Sequence, residues 1–366
     1  MKDIAEAADV SIAAVSRILR SQKLEEFSPE TQKRVHDVAQ QLGWRPNLLV
    51  QGLQTGKTGT LGVFVAPFDT YWTGVLYGIH DVLLAANRVP IVLWPHALVH
   101  PMLNLDPEDR PGLGKTAASI GHSPVPDSVT HEPGRGENNR LLRLIDRRVD
   151  AIITWPLFEA DAIQSVTASC HRGWPVVTLD FELPDDAPAT MVAVDENRAM
   201  QLIFEHLNQL KLNHTAYLGL DRDQTWVQRR RASFERQTAA AGNPARPKWI
   251  WRVETASATD RPHIVDRLRR HPEVTAVVAA SDHLALQVIE AAHELGRRVP
   301  HDLSVVGYGN MVFDTTAMPL TTIEQNPYEI GATAARLALG PPTKAPRVQT
   351  IEPRLVVRHS TSASMV

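Results

Sequence analysis

The chain has 366 residues, enough for two or three domains, and its 43% hydrophobic and 22% charged content excludes a disordered protein. No apolar run approaches the roughly 18 residues of a spanning helix, the opening "MKDIAEAADV" is not secretory, and Cys170 is the single cysteine, so the sequence predicts a cytoplasmic chain with no membrane segment and no intrachain disulfide. A formal charge of −3, with only +1 over residues 1–58, excludes a globally basic nucleic-acid binder; any such site must come from charge segregated onto one face.

The first helix runs from Lys2 to Ala8, with Ile4, Ala5 and Ala8 on one side. After a tight turn at Asp9-Val10, Ser11 is placed to N-cap the next helix. In "VSIAAVSRILR", Val15, Ile18 and Leu19 share one face, and Ala13, Ser16, Arg17 and Arg20 share the other. The second face has low relief, no acid and two long guanidinium side chains, which suits a partner pressed against it. "SPET" then gives a strong helix start, with Ser28 as N-cap and Pro29 at the first helical position. Val35, Val38, Ala39 and Leu42 carry that helix to a stop at Gly43. Three short helices with a tight turn describe a helix-turn-helix module over 1–46.

From Thr60 the pattern changes. "TLGVFVA", "PIVLW", "DAIITW", "PVVTLD", "HTAYLGL", "TAVVAA" and "LSVVGYG" are apolar runs separated by helical stretches, including one through Val75, Ile79, Val82 and Leu83. Such strands imply parallel sheets covered on both faces. About 300 residues of this pattern exceed one sheet, so the fold class is α/β: an N-terminal all-α domain plus two doubly wound lobes with a cleft between them. Residues 96–136 hold six prolines and five glycines with neither helical nor strand period, and read as a surface insertion.

These runs carry a resemblance. "DIAEAADVSIAAVSRIL", "SPETQKRVHDVAQQLGWRPN", "TGKTGTLGVFVAP", "RVDAIITWPL", "VPHDLSVVGYGN", "PLTTIEQNPYEIG" and the terminal "RLVVRHST" are similar, in order, to segments of the lactose-repressor (LacI/GalR) family of bacterial transcription regulators. The resemblance implies a periplasmic-binding-protein-like core. It also implies a hinge helix and linker over 47–59, an N-terminal core lobe of 60–180 with 319–341, and a C-terminal lobe of 181–318 with 342–366. The flat face with two arginines then resembles a recognition helix for the DNA major groove.

Residue by residue, the resemblance places Ile12 and Ala13 where base edges are read and makes Arg17 a base-contacting arginine, whose fork fits guanine O6 and N7. Ser11, Ser16 and Thr31 fall at phosphate-facing positions, though capping would serve Ser11 as well. Ala14 replaces a usual threonine, and Arg20 a usual asparagine, offering a new charge-assisted phosphate contact. Asn47 joins the DNA set at the entry to the hinge, and Leu53 matches a leucine that wedges between base steps in the minor groove. Val50 and Gln51 replace a common Ala-Arg pair there.

In the cleft the resemblance implies a small effector, a sugar or sugar derivative, bound by Tyr71, Trp72, Trp155, Asp180, Arg230, Ser281, Asp282 and Gln325. Core packing would equally explain Tyr71 and Trp72, and helix capping Asp282. Gly309 departs from the family, which usually has a ligand-binding aspartate in "VGYGN"; with Ser281 in place of asparagine, the pocket is less polar. His96, His100, His122 and His131 do not make a metal site, since Pro95 and Pro101 interrupt the helix the spacing would need. "GKT" at 56–58 and at 114–116 lacks the earlier glycine of a phosphate loop.

The sequence therefore predicts a homodimeric, ligand-responsive regulator, a repressor of a palindromic operator, with no cofactor, metal or catalytic residue. A solute-sensing binding protein without operator activity, or a cleft enzyme, is the alternative class.

Overall fold

The computed structural model describes residues 1–20, 22–45, 52, 56–65, 70–93, 143–155, 160–184, 186–222, 224–240, 247–254, 258–311 and 319–363. The chain divides into two compact units, Met1–Thr58 and Gly59–Val366.

In the first unit, α1 (Lys2–Ala7), α2 (Ile12–Leu19) and α3 (Pro29–Gln41) enclose a small core. Ile4, Ala5, Ala8, Val15, Ile18, Val35 and Ala39 fill it, with Phe27 and Trp44 packed at its edge. The helix starts follow from side-chain chemistry. Ser11 Oγ accepts from Ala14 N at 3.1 Å, and Ser28 Oγ accepts from Thr31 N at 3.2 Å, each satisfying an orphan donor of the first turn. Asp9 takes a left-handed φ of +49° in the turn, and Gly43 takes +62° just past α3, where a Cβ would be strained.

The second unit holds two six-stranded sheets. The first has the order β11-β5-β4-β3-β1-β2 and is parallel throughout, with β1 Thr60–Phe64, β2 Val89–Leu93, β3 Ala151–Thr154, β4 Val176–Leu179, β5 Thr190–Val194 and β11 Arg347–Ile351. The second has the order β12-β10-β9-β8-β6-β7, with β6 Thr215–Leu220, β7 Ile250–Val253, β8 Ala276–Ala279, β9 Ser304–Tyr308, β10 Thr321–Glu324 and β12 Arg354–Val356. Its edge strand β12 runs antiparallel to β10, so this sheet is parallel in all but one pairing.

Helices cover both sheets: α4 (Thr70–Ala85), α5 (Ala160–His171) and α10 (Pro327–Leu339) accompany the first, and α6 (Glu196–Gln209), α7 (Thr225–Ala240), α8 (Arg261–Arg270) and α9 (Asp282–Glu294) the second. Helices α4 and α10 meet at backbone distance. A Cβ at Gly78 would strike the Tyr328 carbonyl, and one at Gly331 the Val75 carbonyl, so only glycine allows the crossing.

Sheet membership corrects the expected lobe boundaries at 180, 318 and 341. β5 stays in the first sheet, so the chain first changes lobe between Val194 and Glu196. β10 belongs to the second sheet and α10 to the first lobe's core, which places the return crossing at Gln325-Asn326. β11 lies in the first sheet and β12 in the second, giving a third crossing at Glu352-Pro353. The reason is physical: a short buried strand such as "TMVAV" satisfies its apolar faces in either sheet, and only long-range pairing chooses. The crossings are tied to each other, since Asp195 N donates to Ile351 O at 3.0 Å and Arg198 Nε to Glu352 Oε1 at 3.2 Å.

Candidate functional site

The face expected of α2 is the one the fold exposes. Val15 and Ile18 are buried and Leu19 half-buried, while Ile12, Ala13, Arg17 and Arg20 are exposed and Ser16 is half-buried. Ile12 is 51% exposed at the helix start, although no packing requires an isoleucine outside. Ser11 is exposed but its Oγ is engaged as a cap, and Thr31 Oγ1 lies 2.9 Å from Ser28 Oγ, so both hydroxyls have local partners. Arg17 is not idle either: its Nη1 donates to Glu26 Oε2 at 2.6 Å. Sequence reasoning missed Glu26, which the loop brings alongside α2 from nine positions away.

Of the residues expected in the cleft, Trp155, Asp180, Ser281 and Gln325 closely follow β3, β4, β8 and β10, at the strand end where an open α/β sheet binds ligands. Trp72 is buried at the start of α4, with Tyr71 edge-on at 5.1 Å between ring centroids and Trp155 at 4.7 Å. Tyr71 OH donates to Asp180 Oδ2 at 3.1 Å. Asp180 follows β4 in a left-handed conformation, φ +46°, which aspartate tolerates better than most side chains. Burial pushes its carboxyl above the ordinary 3.8, the Glu196 charge adds to the rise, and Arg230, Arg229 and the Tyr71 hydroxyl oppose it.

Arg230 is held by the protein itself. On α7 it is 6% exposed at the side chain, and it pairs with Glu196, 4% exposed at the first position of α6. The contact is bidentate, with Nε 3.1 Å from Oε2 and Nη2 2.8 Å from Oε1, while Nη1 donates to Ala280 O at 2.7 Å. The Tyr308 ring lies under the guanidinium at 3.5 Å, and its hydroxyl donates to Glu196 Oε2 at 2.9 Å. Burial alone would lower Arg230's hold on its proton; the Glu196 carboxylate and Tyr308 more than offset this and raise it. Glu196 and Tyr308 were not among the expected site residues. The signal available was the "VDEN" run, an acid directly after an apolar strand.

The capping role considered for Asp282 falls to Ser281, while Asp282 ties neighbouring strand ends together. Ser281 Oγ caps α9 by accepting from Leu284 N at 3.3 Å. Asp282, buried, accepts from Thr322 Oγ1 at 2.6 Å and from Met311 N at 2.7 Å, which clamps the strand ends of β9 and β10. Gly309 has φ +132°, so this loop follows a path that L residues rarely adopt. Gln325 is buried at the second crossing. Thr154 Oγ1, at the end of β3, and Trp226 Nε1, whose ring lies 5.2 Å from the Arg230 guanidinium, are buried without a hydrogen-bond partner among the described residues.

Asn47, Val50, Gln51 and Leu53, the 96–136 insertion and its four histidines lie outside the described residues. Among the described residues no cluster of three or more His, Cys, Asp or Glu could hold a metal, and no helix is long and apolar enough to cross a membrane.

Residues 1–47 match the bacterial regulatory proteins of the lacI family, and residues 204–361 match a periplasmic binding protein-like domain. The transcriptional regulator DegA of Bacillus subtilis (strain 168) is 27% identical across 98% of this chain and 97% of its own. Catabolite control protein A of Priestia megaterium is 24% identical across 97% and 94%. The fold is similar to that of the lac repressor dimer bound to operator and the anti-inducer ONPF, with a TM-score of 0.73, 22% identity and coverage of 99% and 98%. It is also similar to the transcriptional regulator CelR in complex with cellobiose, with a TM-score of 0.63, 20% identity and coverage of 98% of both chains. Such relatives are regulators rather than enzymes, and the two matched segments cover the helix-turn-helix unit and the latter half of the core. The chain therefore joins a segment that matches the lacI family to a periplasmic binding protein-like segment, and is similar over nearly its whole length to bacterial transcription regulators.

Proposed function

We propose that this regulator represses transcription as a homodimer on a palindromic operator, and that a neutral polyhydroxyl molecule, a sugar or sugar derivative, occupies the cleft and changes operator affinity. Support for the DNA half is the exposed face of α2, where Ile12, Ala13, Arg17 and Arg20 present two cations and two small apolar contacts to a groove. Asn47 and Leu53 complete the interface in this reading. Its place of action is the cytoplasm, where operator DNA lies. Tyr77 and Leu84, exposed seven residues apart on α4, supply an apolar face for pairing with a second copy.

The observation that carries the effector class is the pairing of Arg230 with Glu196. An anionic effector gripped by Arg230 would need that guanidinium free, and here Glu196 and Ala280 O engage it. Aromatic faces at Tyr71 and Trp155, the Asp180 carboxylate and the unpartnered Thr154 and Trp226 polar atoms suit hydroxyls on a ring. Ligand and operator would then be linked by one coupling free energy, each changing the other's affinity by the same factor.

The test is selection of duplexes from a random library by the full-length protein at near-physiological salt. Enrichment of a palindrome is expected, with release or tightening when a neutral sugar is added and no response to its phosphorylated form. Absence of enrichment with and without sugars would leave the solute-sensing reading in its place.

A further inference from the structure

Glu26 stands beside the recognition helix without belonging to it. It ends a 3-10 turn, Leu24–Glu26, that follows Lys23 in a left-handed conformation of φ +51°. The turn is anchored: Gln32 Nε2 donates to Leu24 O and to Phe27 O, both at 2.9 Å, and Phe27 packs against the small core. The two carboxylate oxygens are divided between two cations, with Arg17 Nη1 at 2.6 Å from Oε2 and Lys23 Nζ at 3.4 Å from Oε1.

Stability does not explain this arrangement. The Arg17 and Glu26 side chains remain 48% and 40% exposed, where an ion pair contributes little. A carboxylate on a DNA-facing surface also opposes phosphate. Its geometric effect is more informative. Glu26 takes Nη1 alone, and no described residue engages Nε or Nη2. The Nε–Nη2 edge is the one by which Arg230 meets both oxygens of Glu196 in this same protein. It presents two parallel donors, the pattern that matches the O6 and N7 acceptors of guanine. Pinning Nη1 to an anchored turn fixes the plane of the guanidinium in advance, so less rotamer freedom is lost when the base is met.

We propose that Glu26 is a positioning residue for base recognition: it holds Arg17 so that the free Nε–Nη2 edge reads a guanine in each half-site. The proposal rests on α2 being the recognition helix, and the experiment separates the two. Duplex selection and salt titration are run on the full-length wild type and on the Arg17→Ala, Glu26→Gln, Glu26→Asp and Arg17→Ala/Glu26→Gln variants, each checked for native helix content.

Arg17→Ala is expected to erase preference at one base pair per half-site. Glu26→Gln should weaken the same preference about tenfold, and the double variant should do no more than Arg17→Ala alone. The freed arginine in Glu26→Gln should pair with a phosphate, steepening the dependence of log affinity on log salt by about one unit. Glu26→Asp should recover part of the preference. If Arg17→Ala loses the preference while Glu26→Gln keeps or sharpens it, Glu26 does not position Arg17 and the inference falls, though the helix reading stands. If neither variant alters any base preference, both fall.

Discussion

Removing one partner of the Glu196–Arg230 pair tests the core of the cleft most directly. Glu196→Ala leaves a guanidinium buried with a single acceptor, Ala280 O, and deprives the Tyr308 hydroxyl of its partner. Breaking a buried ion pair from one side costs about 3–5 kcal/mol, and an orphaned buried hydroxyl about 1–3 kcal/mol. Both losses fall within one network, so they do not add, and a total of about 3–5 kcal/mol is expected. In a core of this size that corresponds to a fall in melting temperature on the order of 10 °C.

Thermal and urea unfolding of Glu196→Ala, Arg230→Met and Glu196→Met/Arg230→Met would read it. The double variant removes both charges and restores apolar volume, so it should lie within about 2 kcal/mol of wild type, above either single variant. Single variants within about 1 kcal/mol of wild type would refute the reasoning, because Arg230 would then have an alternative partner or access to water.

The raised carboxyl of Asp180 makes a pH-dependent contribution of known sign. Its folded state holds a proton at pH values where the unfolded chain, near 3.8, has lost it, so stability falls as pH rises from there through the raised value. Asp180→Asn should flatten that part of the stability–pH curve and leave or raise stability at neutral pH; an unchanged curve would remove Asp180 as its source. Cys170 is buried, and burial pushes its thiol up to about 11, so a thiol reagent at pH 8 should label the native protein far more slowly than the urea-unfolded chain. Comparable rates in the two states would mean that the first lobe opens readily around α5.

Much of this protein was determined by local chemistry. The helices of the first unit follow from caps at Ser11 and Ser28 and from an apolar stripe through Val15 and Ile18, all within a few residues of one another. Seven strands of the core were legible as apolar runs between turns for the same reason. Other features depended on partners far away in sequence. β5, β10 and β11 found their sheets through long-range pairing, and Arg230 met Glu196 across 34 residues and Asp180 met Tyr71 across 109. The family resemblance carried by the "RRASF" run placed Arg230 among the expected effector residues. That its charge is already paired with a buried carboxylate was decided by the tertiary structure. Periodicity records which face of a segment is buried, but the energetic choice among distant partners is made only when desolvation forces every buried charge to find one.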